Sequence, residues 1–423
     1  LRGMMDARAY RALTAAAYPF LYPWLSRRYR EGLDERRGLY DGVMPESPLW
    51  IHAVSVGEVQ SACPLMTELR GGGETPPILL STTTRTGREM AFSLAEGLFD
   101  RHVYYPWDIP AVVGRALDVV RPLAYAVMET EIWPNMLFNL VRRGIPALLV
   151  NGRISERSAR NALRRPAFWG MTYDCFTRLL VRSQSDRDVL LSLGVSEEKI
   201  AVTGDCKVDA LLMRREWVDP LRASEMLFGQ GAGCCDSPLF LAGSTHEGED
   251  EVVLDAFRLV RRTLPDARLV LAPRHPERAG RVLELAGAVA SASPLSSPSP
   301  RLEDIIVVDR IGVLFGLYSI ADAAFIGGSL VDRGGQNIME PAAFGVPLCH
   351  GPFMRDFAEA ARALGECGVA TVVKNAPELA AHWQASLRPE FREAASAGAA
   401  EFFRSVGGAA RRSAEEIIGV IGR

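Results

Sequence analysis

The chain of 423 residues is predicted to be α/β, with two doubly wound, parallel-sheet (Rossmann-like) domains whose strand ends face each other across a cleft. Three observations predict this. From Ser47 onward, apolar strand signals alternate with amphipathic helix signals, the pattern of a parallel sheet covered on both faces. The alternation breaks between Asp209 and Pro238, then resumes as a second series. Many strand signals run straight into turns rich in glycine, hydroxyls or arginine, where ligands bind in such sheets. The expected divisions are an amino-terminal segment 1–35, a first domain 36–208, a link 209–237 and a second domain 238–423.

The first element is the apolar run Ala12–Leu25, flanked by arginines on both sides. At about 14 residues it falls short of the ~20 a spanning helix needs. Its two prolines and its aromatics suit an interfacial segment, and the arginines would meet anionic headgroups. Residues 1–30 hold six Arg against one acid, Asp6. No small-residue cleavage site follows, so a secretory signal is not indicated. The alternative is an amphipathic first helix docked on the protein.

Strands are then expected at Leu49–Val54, Pro77–Ser81, Val103–Tyr105, Leu123–Met128, Ala147–Val150, Arg178–Arg182 and Ile200–Thr203. Between the first two, Val59, Ala62, Cys63, Met66 and Leu69 recur at helical spacing. The stretch 209–238, with Gly229, Gly231 and Gly233, breaks this rhythm. The second series is Leu239–Ala242, Arg268–Ala272, Ile305–Val308, Ala323–Ile326, Val346–Leu348 and Val369–Val373. The Ser/Pro tract 291–300 reads as a solvated loop, and the last ~30 residues read as helices.

Composition narrows the function. Apolar content of 48% and charged content of 23% are those of an ordinary globular protein with ample core. A net charge of −3 gives no reason to expect nucleic-acid binding. The seven cysteines contain no CxxC pair, and the adjacent Cys234-Cys235 would form only a strained disulfide, so reduced thiols are expected. His246-Glu247 opens like a zinc-helix motif, but Asp250 stands where the second histidine would be, so no metal site is expected.

The most informative stretch is Gly334-Gly335-Gln336-Asn337-Ile338-Met339-Glu340-Pro341, after the buried-strand signal ending at Gly327-Gly328. Glycines let backbone approach a ligand closely, helix-start N–H groups can face a phosphate, and Glu340 could accept both hydroxyls of a ribose. Ser244, Thr245 and His246 follow another strand, with Ser or Thr expected to cap the next helix. Pro273 and Arg274 end a third strand, and Arg274 could grip a phosphate or carboxylate. Ile311, Gly312 and Val313 form a further turn on the same rim.

In the first domain, Glu58 opens a helix at a strand end, where an acid often only stabilises the helix dipole but where a general base could also sit. Glu129 and Glu131 end the Leu123–Met128 strand, and Lys207 follows the last strand. Arg85, Thr86 and Arg153 add hydroxyl and guanidinium groups suited to a phosphate-bearing acceptor.

Taken in order, Ser55–Glu58 (SVGE), Met128–Asn135 (METEIWPN), Ser244–Glu249 (STHEGE), Pro273–Arg278 (PRHPER), Gly327–Leu330 (GGSL), Arg333–Gly335, Asn337 and Glu340 resemble the Kdo (3-deoxy-D-manno-octulosonic acid) transferases over nearly the whole chain. The resemblance implies a GT-B glycosyltransferase fold, a CMP-Kdo donor, a lipid A precursor as acceptor, no cofactor and no required metal. It implies a place on the cytoplasmic face of the inner membrane of a Gram-negative cell, in lipopolysaccharide biosynthesis. It makes Glu58 the base, with Glu129 and Lys207 supporting the transition state. It puts Pro273, Arg274, Ile311–Val313 and Asn337, Ile338, Met339 and Glu340 around CMP. Where the family has Met-Gly-Glu this chain has Ile311-Gly312-Val313, so only backbone contacts carry over there. A nucleotide-sugar epimerase or a non-catalytic nucleotide sensor would share the second-domain turns.

Overall fold

The computed structural model describes residues 2–73, 75–229, 237–298 and 303–422. Gly231, Gly233, Cys234, Cys235, Ser299 and Pro300 lie outside the described residues. Cys63, Cys175, Cys206, Cys349 and Cys367 are free thiols. The chain divides into two compact units, Leu1–Ala210 with Val406–Arg423, and Leu211–Ser405.

The first unit is built on seven parallel strands: β1 (Leu49–His52), β2 (Ile78–Thr82), β3 (Arg101–Tyr104), β4 (Ala124–Met128), β5 (Ala147–Gly152), β6 (Arg178–Val181) and β7 (Ile200–Val202). They lie in the order β3-β2-β1-β4-β5-β6-β7. β1, β2, β4 and β5 are buried along their whole length, so they are apolar runs and not alternating ones. Trp50 anchors this core. Tyr40, Tyr105 and Tyr125 pack around it at 5.9–6.5 Å, and its indole N–H donates to Ser81 Oγ at 2.8 Å.

The second unit repeats the plan with β8 (Leu239–Thr245), β9 (Arg268–Pro273), β10 (Ala292–Pro294), β11 (Ile305–Val307), β12 (Ala323–Ile326), β13 (Leu348–His350) and β14 (Ala370–Val372). Their order is β10-β11-β9-β8-β12-β13-β14, all parallel. Trp383 stacks on Phe240 at 4.9 Å in its core. The chain reverses its direction of strand addition between β1 and β4 in one sheet, and between β8 and β12 in the other.

Four expectations need correction. The tract 291–300 is not wholly solvated: Ala292–Pro294 pairs with β11 as an edge strand, and Leu295 is buried behind it. The supposed link 209–237 carries the helices Cys206–Glu216 and Pro220–Phe228, the second capped by Asp219 and burying Leu227 and Phe228. The division between units falls inside the first of these helices.

The carboxyl-terminal helix Ala409–Ile421 belongs to the first unit, not the second. It packs on the helix Val56–Gly71. Glu416 takes two bonds from Arg178, at 2.9 and 2.7 Å, and Arg412 donates to the Thr203 carbonyl. Asp209 accepts the N–H groups of Gly408 and Ala410, which ties down the start of that helix.

The fourth correction concerns the amino terminus, where a single helix runs Arg2–Arg28 straight through Pro19 and Pro23. One face docks on the first unit. Tyr10 donates to the buried Asp108 at 2.9 Å, Thr14 accepts from Asn135 at 3.1 Å, and Tyr18 and Tyr22 meet the Trp107 ring edge-on. These four residues share one side at a spacing of four. Leu13, Phe20 and Trp24 form a second stripe that stays 70%, 85% and 57% exposed. Docking therefore occupies one face of this helix, and a second, apolar stripe stays exposed beside it. Among the described residues, no helix is long and apolar enough to cross a membrane.

Candidate active site

In the first unit the chemistry collects where the strand order reverses, between β1 and β4. Ligands bind outside the carboxyl ends of strands at such a reversal. Ser55 starts the helix Val56–Gly71, and Glu58 lies in its first turn. Its Oε2 accepts the Val54 N–H at 2.7 Å, which holds the carboxyl over the end of β1. Burial raises its pKa from 4.5 to about 7. The Val54 bond works against this rise, Glu131 and Glu129 add to it, and Lys207 opposes it. Glu58 is thus poised to exchange a proton near neutrality.

Glu129 follows β4 in a left-handed conformation, φ 56°, with its N–H bonded to the Val150 carbonyl at 2.8 Å. That backbone is uncommon for a non-glycine residue and turns its carboxylate towards Lys207. Lys207 Nζ lies 2.7 Å from Glu129 Oε1, a contact of charges without hydrogen-bond alignment. Burial, then the neighbouring Glu129, raise the pKa of Glu131. Three carboxyls and one ammonium therefore share the site. Arg85 and Thr86 open the helix Arg85–Leu94 after β2, next to β1. Arg85 spends its exposed guanidinium on Glu89 at 3.0 Å, and Arg153 is exposed after β5. Among the described residues, no hydrogen bond or ion pair joins these three to the carboxyl cluster.

The second unit has a matching arrangement between β8 and β12. The organising group is Glu249, which is fully buried. Its Oε2 accepts from His246 N–H at 2.8 Å and Gly328 N–H at 2.6 Å. Its Oε1 accepts from Ser329 at 2.9 Å and Leu330 at 2.8 Å. One carboxylate thus shapes the turns after both strands. A Cβ at Gly327 would lie 2.3 Å from the Ser244 carbonyl oxygen, so the two turns meet too closely for any side chain there.

Ser244 adopts φ 57°, and Thr245 still belongs to β8. The expected cap is therefore corrected. The next helix begins at Asp250, and Thr245 Oγ1 donates to the Asp250 carboxylate at 2.7 Å instead of accepting a helix N–H. Asp250 also pairs with Arg278, whose guanidinium donates in turn to the Thr245 carbonyl. The His246 and His275 rings stand 5.9 Å apart, edge to face.

Arg274 follows Pro273 at the end of β9, its N–H on the Thr245 carbonyl at 2.9 Å. After β12, Gly334 and Gly335 take φ 83° and 78° and lead to the short helix Met339–Ala343. Asn337 Oδ1 accepts the Met339 N–H at 3.2 Å, and Asn337 Nδ2 reaches Glu340 at 3.4 Å. Ile338 is buried beneath them. Burial raises the pKa of Glu340, against the charge of Arg214, the Asn337 bond and the charge of Arg274. Arg214 is held over the Phe315 ring at 4.0 Å. Gly312 takes φ 92°, and its neighbour Ile311 is exposed. Among the described residues, no group of three or more His, Cys, Asp or Glu side chains is arranged to hold a metal ion.

Sequence reasoning missed Glu249 and Arg214 as site-builders. Glu249 had a signal: it lies three residues after His246 and reaches back to that N–H, as in a capping box. Arg214 had none, because its neighbours Phe315 and Glu340 are distant in the chain.

The family model for 3-deoxy-D-manno-octulosonic-acid transferase (kdotransferase) matches residues 31–210. The 3-deoxy-D-manno-octulosonic acid transferase of Haemophilus influenzae is 35% identical over 348 residues, covering 81% of this chain and 79% of that one. The Bordetella pertussis protein of the same name is 31% identical over 428 residues, covering 94% and 96%. Among solved structures, the UDP-GlcNAc 2-epimerase of Neisseria meningitidis matches with TM-score 0.59 at 15% identity, covering 88% of this chain and 99% of that one. A glycosyltransferase from Rickettsia africae matches with TM-score 0.56 at 14% identity, covering 89% and 99%. At such identities the structures speak for the GT-B fold alone.

Proposed function

The chain belongs to the Kdo transferase family, a family of glycosyltransferases, and on that premise we propose that it moves Kdo from CMP-Kdo to a glucosamine hydroxyl of the lipid A precursor, lipid IVA, by a single inverting displacement. The observation that carries this reading is Glu58, a half-buried carboxyl at the strand reversal with its pKa near neutrality. Glu58 takes the proton from the acceptor hydroxyl as that oxygen attacks the anomeric carbon. CMP leaves as a phosphate monoester. Lys207 offsets the charge that develops, and Glu129 holds the Lys207 ammonium.

In this reading the second unit holds the nucleotide. Ser244, Thr245, His246, Pro273 and Arg274 provide one side, the Ile311–Val313 backbone another, and Asn337–Glu340 the ribose contacts. Arg85, Thr86 and Arg153 serve the acceptor. Glu340→Ala should weaken CMP binding by about 1.5–3 kcal/mol, the worth of a hydrogen bond to a charged group. Titration calorimetry checks it, and unchanged affinity removes the ribose role.

The helix Arg2–Arg28 would keep the enzyme at an anionic membrane surface through Leu13, Phe20 and Trp24. Replacing these three with Ser spares the docked face, whereas deleting the helix would uncover Asp108 and Trp107. The triple variant should float less with anionic vesicles while keeping activity on detergent-dispersed acceptor. Equal flotation places the attachment elsewhere.

The whole reading is tested by following CMP release from CMP-Kdo. Release that depends on added lipid A precursor supports transfer. CMP-Kdo consumption that ignores the acceptor contradicts it.

A further inference from the structure

We infer that Asn151, together with the Arg182–Asp205 pair, is a positioning device that sets Lys207 against Glu129. The inference rests on the catalytic reading of Lys207 and adds residues that reading did not contain.

The geometry is a ladder across three neighbouring strand ends. β4, β5 and β6 lie side by side and end near Glu129, Asn151 and Arg182. Three successive residues at the start of the helix Cys206–Glu216 are each held by one of them. Arg182 Nη1 contacts Asp205 Oδ2 at 2.9 Å. Asn151 Oδ1 accepts the Cys206 N–H at 2.9 Å. Lys207 Nζ reaches Glu129 Oε1 at 2.7 Å. Asp205 Oδ1 also accepts the Lys207 N–H at 3.0 Å, which joins the steps.

The local backbone is shaped for this task. The β5–β6 register shifts between Leu149 and Gly152, so Asn151 sits in a bulge, and its φ is 55°. Bulges re-aim side chains next to active sites. Glycine would adopt that φ without strain, but it would leave the Cys206 N–H without its acceptor. Asn151 is fully buried, and its Nδ2 finds no partner among the described residues. Arg182 Nε is likewise buried without one. Packing alone would favour an apolar residue or glycine at position 151. The amide oxygen instead fixes the residue next to Lys207. A flexible lysine gains most from a fixed Cα, because only its long stem then remains to be ordered.

The test is a double-mutant cycle on the full chain, using CMP-Kdo and lipid A precursor. Asn151→Gly keeps the backbone conformation available and removes the side chain. It should lower kcat by roughly 10- to 100-fold, the scale of a misplaced catalytic group, with the donor KM within about twofold. In a Lys207→Ala background it should cost nothing further, since its effect runs through that ammonium. Parental kcat for Asn151→Gly alongside an impaired Lys207→Ala overturns the inference, as do losses that multiply. Parental kcat for Lys207→Ala instead overturns the catalytic reading of Lys207 itself. If Asn151→Gly does not fold, Asp205→Ala enters the same cycle with the same outcomes.

Discussion

Glu58→Gln lowers turnover by ~10²–10⁴-fold, the usual contribution of a general base, while CMP affinity stays at the parental value. The carboxamide fills the same space and can still accept the Val54 N–H, so the fold around the end of β1 survives. What disappears is the proton acceptor. The parent's kcat/KM should rise with pH through about 7, because only the ionised carboxylate acts and burial holds its pKa there. The variant should lack that limb. The same shift sets the sign for stability. A carboxyl with a raised pKa binds its proton more tightly folded than unfolded. Its favourable contribution is complete below the ordinary carboxylate range and is lost as pH rises through about 7. Glu58→Gln should therefore melt higher than the parent at pH 8. Rates within a few-fold of the parent would remove Glu58 from the role of base.

Glu249→Gln should be the most damaging change in the second unit. Each carboxylate oxygen accepts two backbone N–H groups. Whichever way the amide is turned, its NH₂ faces two donors. Unsatisfied buried donors cost ~1–3 kcal/mol each, so the loss is about 2–6 kcal/mol. That is a large share of a typical stability of ~5–15 kcal/mol. Thermal unfolding should show a much lower midpoint, and CMP binding should be lost as the turns after β8 and β12 relax. Parental melting with parental CMP affinity would mean that Glu249 does not shape the donor site.

What was legible in the sequence follows from the physics of parallel sheets. Buried strands read as apolar runs, and turns at their carboxyl ends carry the polar residues, so β1 with Glu58 and β4 with Glu129 stood out. β8 is legible in the sequence, but composition ends it at Ala242 and not Thr245, since Gly-Ser-Thr reads as a turn. That error produced the mistaken cap. β10 was hidden because Ala292-Ser293-Pro294 has no strand composition and is defined only by pairing with β11. The return of Ala409–Ile421 to the first unit was equally invisible. It depends on Asp209, Thr203 and Arg178 meeting residues about two hundred positions away. The ladder through Asn151 escaped for the same reason, because a bulge and a left-handed φ are tertiary outcomes. Lys207 and Glu129 were each visible, but not the contact between them.

The most direct measurement is the mass of the acceptor after incubation of the purified protein with CMP-Kdo and lipid A precursor. A precursor heavier by one Kdo residue or a whole multiple of it should appear with the parent chain and not with Glu58→Gln. A precursor of unchanged mass under conditions where the parent chain binds CMP, or equal product from Glu58→Gln, would contradict it.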